Sequence, residues 1–177
     1  MIQMSNRGLR GSTLEDALNF TNEMYRRGGL AIVQKVPTPI TPVEFSRETS
    51  TINLAYFERK STVDYIGAVQ GIPICFDAKE TALKNLPIAN IAHHQIEFMQ
   101  DWQKQGGIAF MIVHFSRMGE YYFLPLAILI DFWQSAQRGG RKSIPYDAFE
   151  KKYQLENKGG AHIHYLEAIN VYLEGAN

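Results

Sequence analysis

Apolar positions recur along this chain with two different periods, and the places where the period changes mark out its elements. Leu14, Ala17, Leu18 and Met24 fall on one helical face, with Ser12 or Thr13 placed to cap the helix and Glu15 and Asp16 in its first turn. Arg26-Arg27-Gly28-Gly29 is a stop signal, after which LAIVQKV at 30–36 reads as a strand. VDYIGAV (63–69) and IPICFDAK (72–79) are two strands joined by a tight hairpin at Gln70-Gly71. Ile91, Gln95/Ile96, Phe98/Met99 and Trp102 give residues 88–105 helical spacing, ended by Gly106-Gly107. IAFMIVHF (108–115) and EYYFL (120–124) are strands around a turn at Met118-Gly119, and Pro125 opens an amphipathic helix that stops at Arg138-Gly139-Gly140. A basic loop at 141–143, a short helical piece near Pro145 and a C-terminal segment from about 161 complete the chain. The order helix, strand, hairpin, helix, strand, strand, helix predicts an α/β domain with a mixed central sheet flanked by helices.

Residues 37–60, PTPITPVEFSRETSTINLAYFERK, interrupt that order. Prolines at 37, 39 and 42 break regular structure, yet the remainder is rich in strand formers. A connection of this length inside a compact domain is usually functional, and the segment is expected to project as an arm with strand character.

The strand at ICFDAKET (74–81) changes character halfway. Residues two apart in a strand share a face, so Asp77 and Lys79 stand side by side with Ala78 and Glu80 opposite. Asp64 lies as far before the Gln70-Gly71 turn as Asp77 lies after it, which makes the two acids near cross-strand neighbours. Paired carboxylates invite a hard cation. Thr62, two residues before Asp64 and expected on the same strand face, offers a hydroxyl oxygen, and Gln95 offers a carbonyl oxygen from the following helix. A cation at Lys79 suits the negative charge that grows on a phosphate in phosphodiester hydrolysis. Spacing alone leaves a second account open, a plain ion pair on a partly solvated strand end.

Composition narrows the classes. The chain has 177 residues, 45% hydrophobic and 12% aromatic, enough for a real core in one domain. Lys plus Arg and Asp plus Glu are both 18, so any nucleic-acid contact must come from locally segregated charge. Cys75 alone excludes an intrachain disulfide framework and a cysteine-rich zinc site. The N-terminus carries no apolar signal-like stretch, and FLPLAILIDFW (123–133) is too short to span a bilayer. A cytoplasmic protein without a membrane partner is expected.

The succession Glu15, Asp64 and Asp77-Ala78-Lys79 resembles the PD-(D/E)xK nuclease superfamily, and more closely the RecU-type Holliday junction resolvases of Gram-positive bacteria. The islands SNRG (5–8), TLEDALNFTN (13–22), KVPTP (35–39), AYFERKSTVDYIG (55–67), FDAKET (76–81), HHQIEFM (93–99) and GRKSIPYDAFE (140–150) stand in family order along nearly the whole chain. The resemblance implies a restriction-endonuclease-like fold, a single nuclease domain over 1–177, and residues 37–60 as an inserted stalk directed at the junction centre. It implies magnesium, with manganese as a substitute, held by Thr62, Asp64, Asp77 and Gln95. Lys79 then stabilises the transition state, and Glu15 is an acid close to the site. It further implies a homodimer nicking four-way junction DNA symmetrically in recombination and repair, with a recombinase as a possible partner. The family usually has Glu where Asp77 stands, LRGS (9–12) is an apparent insertion, and the basic extension that many members carry before SNRG is nearly absent. Alternatives are a superfamily nuclease acting on flaps or duplex ends, or a junction-binding, recombinase-modulating protein that does not cut.

Arg7, Arg10, Lys60, Arg141 and Lys142 are candidate DNA contacts, though Arg141 and Lys142 equally suit the C-terminal end of a helix. Adjacent His93 and His94 point about 100° apart on a helix and do not converge on one ion. His162-x-His164 has no acid positioned with it by sequence.

Overall fold

A computed structural model describes residues 9–57 and 62–175. Helix α1 (Leu9–Arg27) leads to strand β1 (Ile32–Lys35), then to β2 (Ile40–Ser46) and β3 (Thr51–Phe57), β4 (Tyr65–Val69), β5 (Ile72–Thr81) and the short β6 (Asn85–Pro87). A 3-10 turn at Ile88–Asn90 precedes α2 (His93–Lys104), β7 (Ile108–Phe115), β8 (Glu120–Pro125) and α3 (Leu126–Gln137). After β9 (Ser143–Pro145) come two 3-10 turns, β10 (Gln154–Leu155) and α4 (Tyr165–Gly175).

Six strands form the central sheet in the order β1-β4-β5-β7-β8-β10. Only β5 and β7 pair in parallel, joined by a crossover that carries α2; the other neighbours are antiparallel. The expected α/β class with a mixed sheet between helices is therefore what the chain forms. Alternation along β5 sends Ile74 and Phe76 into a core shared with Leu14 and Leu18 of α1 and Tyr165 and Ile169 of α4. Cys75 faces the opposite core, built with Ile96 and Met99 of α2 and Leu126 and Leu129 of α3. On the first face an aromatic row crosses four strands. Phe76 stacks between Tyr65 (4.7 Å between ring centroids) and Phe110 (4.9 Å), and Phe110 stacks on Phe123 (4.4 Å). These cross-strand ring contacts pin the register of the strands that carry the acids.

Several boundaries depart from the sequence expectation. Helix α1 begins at Leu9, so Ser12 and Thr13 lie inside it and neither is its cap. The helix expected over 88–105 is broken: Ile91 is extended at φ −113° and ψ 116°, because the turn before it is tied to the basic loop by Ile88 N donating to Lys142 O (3.0 Å). Thr62 to Asp64 form a bend, and the strand starts only at Tyr65, so strand alternation does not place Thr62 and Asp64 on one face. The pairs β6–β9 and β10–β8 are too short to show a period.

The segment 37–60 contains a separate two-stranded ribbon, β2 against β3, with Ile40 opposite Phe57 and Ser46 opposite Thr51. The register slips around Val43, which admits Pro42 to the ribbon. Its side chains are largely bare: Val43 and Phe45 are 56% exposed and Phe57 74%. Among the described residues, no helix is long and apolar enough to cross a membrane.

Gly67 sits opposite Val33, and a Cβ there would meet Ile32 O at 2.2 Å and Val33 Cα at 2.7 Å. Backbone cannot yield as a side chain does. Gly67→Ala is expected to push β1 off β4 and destabilise the protein by about 1–3 kcal/mol, lowering Tm by roughly 3–8 °C. A melting curve superimposable on wild type would show that β1 is not held this closely.

Candidate metal centre and active site

The hairpin register puts the two acids together. Tyr65 pairs with Phe76 and Val69 with Ile72, so the next step outward sets Asp64 opposite Asp77. Two backbone bonds fix the Asp64 end: its carbonyl accepts Val36 N–H (2.8 Å), and its Oδ2 accepts Ala78 N–H (2.9 Å). Asp77 is on the same strand face as Cys75, pointing toward α2, and has no exposed surface. Lys79, next on that face, brings Nζ to 2.5 Å from Asp77 Oδ2. The contact is ionic, with the ammonium off the line of a directed hydrogen bond, so Oδ2 keeps an acceptor position open.

Gln95 provides the third side. Its Nε2 donates to Asp77 Oδ1 (2.6 Å) while its Oε1 accepts Ala92 N–H (3.1 Å). Ala92 caps α2 without any side-chain acceptor, so Gln95 supplies the only side-chain bond of a half-formed capping box. Gln95 thus stands against Asp77 as expected, with its Oε1 on the helix terminus and its amide nitrogen facing the carboxylate.

Burial pushes the Asp77 carboxyl up to about 7; Lys79 pulls it down, and the nearby Asp64 charge raises it further. A buried acid with one uncommitted oxygen, a second carboxylate beside it and a single ammonium is a donor set short of positive charge. It fits a hard divalent cation, which takes oxygen ligands and typically one or two carboxylates. Thr62 is exposed in the bend just before Asp64.

Glu15 is not in contact with Asp77; its carboxylate is paired with Lys35 Nζ at 2.5 Å, tying α1 to β1. It still lies on the Asp64 side. The buried Tyr65 hydroxyl donates to Asn19 (3.2 Å), and after burial itself, the charges of Glu15, Asp64 and Asp16 raise its pKa. Lys35 was not singled out from the sequence, although it opens the KVPTP stretch. Glu80, on the reverse face as expected, pairs with His114 Nδ1 at 2.8 Å.

Of the candidate DNA contacts, Arg7 and Lys60 lie outside the described residues, and Arg10 falls in the first turn of α1. Arg141 is exposed, with a 3.4 Å bond to Ser143 Oγ. Lys142 donates to Ala136 O at the end of α3, the helix-terminal role that the sequence had left open. The histidines have separate partners. His93 stacks on Trp133, His162 on Phe20, and His164 Nδ1 bonds the Tyr25 hydroxyl at 2.8 Å. Cys75 is buried, its thiol pushed up to about 12.

Residues 9–171 match the family model RecU, described as Recombination protein U. The chain is 42% identical over 172 residues to the Holliday junction resolvase RecU of Pediococcus pentosaceus, covering 94% of this chain and 86% of that protein. It is 45% identical over 150 residues to the protein of the same name from a Geobacillus strain, covering 82% and 75%. Among solved structures it is similar to Hjc, a Holliday junction resolvase of Archaeoglobus fulgidus, with a TM-score of 0.44 and 11% identity over 75% of this chain and 90% of that one.

The raised Asp77 pKa has a signed consequence. Between the ordinary value of 3.8 and about 7 the folded chain holds a proton that the unfolded chain has released, so this group's stabilisation is full below 3.8 and is lost as pH rises through 7. In chelator-treated protein, Asp77→Asn is expected to gain on wild type from pH 5 to pH 8, reaching on the order of 1 kcal/mol, or about 2–4 °C in Tm. A Tm difference that stays flat across that range would remove the assignment.

Proposed function

The chain belongs to the RecU family, and on that premise we propose that it is a Holliday junction resolvase, a divalent-metal-dependent endonuclease that nicks four-way DNA junctions in recombination and repair. The observation that carries the chemistry is the fully buried Asp77, with an open Oδ2, set opposite Asp64 and beside Lys79.

Asp64 and Asp77 hold the ion, and the exposed Thr62, in the bend two residues before Asp64, is the candidate for a further oxygen. Magnesium, or manganese in its place, supplies a water of lowered pKa and withdraws charge from a phosphoryl oxygen when bound. Asp64 is aimed by the Ala78 N–H, which fixes one carboxylate oxygen and leaves the other for the site. Lys79 has its Nζ 2.5 Å from Asp77 Oδ2 and keeps 20% of its side chain exposed, so a phosphate arriving from solvent can take its ammonium. There it stabilises the charge that builds on a nonbridging oxygen as water adds to phosphorus and the sugar oxygen leaves with a proton. Glu15, paired with Lys35, acts electrostatically on the same Tyr65 hydroxyl as Asp64 and is the further acid assigned to the site.

Selectivity for branched DNA belongs to shape. The formal net charge is +0, so bulk attraction to duplex is weak, and the ribbon of 37–60 is the inserted stalk of a single nuclease domain over 1–177, entering the junction centre. Arg7, Arg10, Lys60, Arg141 and Lys142 contact phosphates, Arg141 being the freer of the last two because Lys142 is engaged with α3. Two copies of the chain, a homodimer, make the paired nicks. The protein works in the cytoplasm beside the DNA and the recombinase that forms its substrate.

Incubation with a synthetic four-way junction and Mg²⁺ is expected to give symmetric nicks. Asp77→Asn and Lys79→Ala should each lose about 100-fold or more in cutting rate while still shifting the junction in a gel. A wild type that binds the junction and cuts it with neither Mg²⁺ nor Mn²⁺ would sink the enzyme assignment. Deleting 40–56 should leave Mg²⁺ binding intact and abolish the preference for a four-way junction over linear duplex; retained preference would assign selectivity to the sheet instead of the ribbon.

A further inference from the structure

Behind Lys79, on the reverse face of β5, a titratable pair is built into the sheet and takes no part in the metal site. The register places Glu80 opposite His114 of β7, and His114 opposite Tyr121 of β8. The Glu80 carboxylate meets His114 Nδ1 at 2.8 Å, and the imidazole lies flat on the Tyr121 ring, 4.2 Å between centroids and 9° from parallel. These contacts hold the ring still, with 12% of the His114 side chain and 27% of the Glu80 side chain exposed. The second ring nitrogen, Nε2, has no hydrogen-bond partner among the described residues and is not sealed from solvent. Three residues on, Arg117 is exposed in the turn that joins β7 to β8. Backbone bonds fix that turn: Ser116 N donates to Thr81 O (3.0 Å) and Gly119 N to Phe115 O (3.0 Å), with Gly119 at φ +66°. The acid that opens β8, Glu120, accepts the Tyr122 and Tyr146 hydroxyls, and no ion pair to Arg117 is present among the described residues.

We propose that His114 and Arg117 form a phosphate subsite for the DNA backbone, distinct from the cut phosphate at Lys79, and that Glu80 is the positioning residue that holds the imidazole for it. An imidazole with a carboxylate on Nδ1 and a phosphate on Nε2 donates at both nitrogens, which is its cationic form, and the aromatic face beneath it favours that charge. A metal fits less well, because no third His, Cys, Asp or Glu joins the pair among the described residues. Placement supports DNA. Asp77 and Glu80 are three residues apart on β5, about 10 Å at the rise of a strand, and backbone phosphates follow one another at about 3.4 Å of axial rise. A strand cut at Lys79 can therefore lay a neighbouring phosphate across the end of β5 and β7. In a chain of formal net charge +0, attraction to DNA has to come from such local groups, and these two lie at the end of the sheet that carries Asp77 and Lys79.

The inference rests on the DNA reading, and its test does not depend on cutting. A synthetic four-way junction in a chelating buffer is titrated at several KCl concentrations, and the slope of log affinity against log salt reports the phosphates neutralised. His114→Gln keeps a hydrogen-bonding side chain but drops the charge, and Arg117→Ala changes an exposed turn position. Each is expected to reduce the slope by about 0.9 for every protomer on the junction, with the Tm of Arg117→Ala within roughly 2 °C of wild type. A purely structural role for the Glu80–His114 pair would lower Tm and leave the slope alone, so an unchanged slope in either variant overturns the subsite. Glu80→Gln gives a second readout through its sign. An acid that only neighbours DNA repels it, and removing its charge would tighten binding. A carboxylate that holds His114 for phosphate has the opposite effect, so Glu80→Gln should weaken binding and lower the slope; tighter binding overturns the proposal. A junction bound with these slopes but left uncut in Mg²⁺ would sink the nuclease assignment and uphold the subsite, whereas a wild type that does not bind the junction removes both.

Discussion

The structure turns on a carboxylate that has been taken out of water without a full set of partners. Asp77 has no exposed surface, one oxygen satisfied by Gln95 and the other left to an ammonium that does not make a directed bond. An ionised carboxylate in that position costs several kcal/mol unless it is paired and hydrogen-bonded. With Asp64 beside it and Lys79 the one ammonium in contact among the described residues, the cluster formed by these three ionised groups carries a net charge of −1. Two responses are open to such a cluster: holding a proton, which is why the Asp77 pKa rises, or taking up a cation. Holding a proton and attracting a cation are thus two answers to one deficit of positive charge.

What keeps the carboxylate there is the rigidity of its surroundings. The aromatic row Tyr65–Phe76–Phe110–Phe123 lies on the reverse face of the same strands and fixes their register immediately before Asp77. A slip of one residue would send Asp77 into the core of α1 and α4 and bring Phe76 to the site, so the apolar face itself enforces the position of the charge. On the other side, the cap of α2 and the hold on Asp77 share one side chain. The ribbon of β2 and β3 is built on the opposite principle. Its bare apolar side chains contribute little to the main cores, so selection on shape can act there without disturbing the chemistry.

This division explains what could be read from the sequence. The β5, β7 and β8 strands and the β4–β5 hairpin were legible because long apolar runs and a Gln-Gly turn leave one arrangement, and counting from that turn already paired Asp64 with Asp77. The Asp77–Lys79 contact followed from period two alone. Thr62 was misplaced on a strand face because strand alternation was extended three residues too far into a bend. The direction of the Gln95 amide was beyond reach, since it depends on an unpaired N–H at Ala92, a group that every non-proline residue carries. The pairing of Glu15 with Lys35 was not legible, since it requires knowing that α1 packs beside β1.

Asp77 in place of Glu first looks like a loss of reach, and the geometry argues that it is a change of support. A glutamate's extra torsion lets the carboxylate find a cation at the cost of being less fixed, whereas an aspartate is stiffer and must be placed by its neighbours. Here the neighbours do place it: the strand register sets its origin, Gln95 sets its rotation, and Lys79 marks the side on which charge is tolerated. A stiffer carboxylate hydrogen-bonded from a helix cap depends on α2 in a way that a self-adjusting glutamate would not. The consequence is that Ala92, at the start of α2, bears on the orientation of Asp77 through the Gln95 amide that both of them bind.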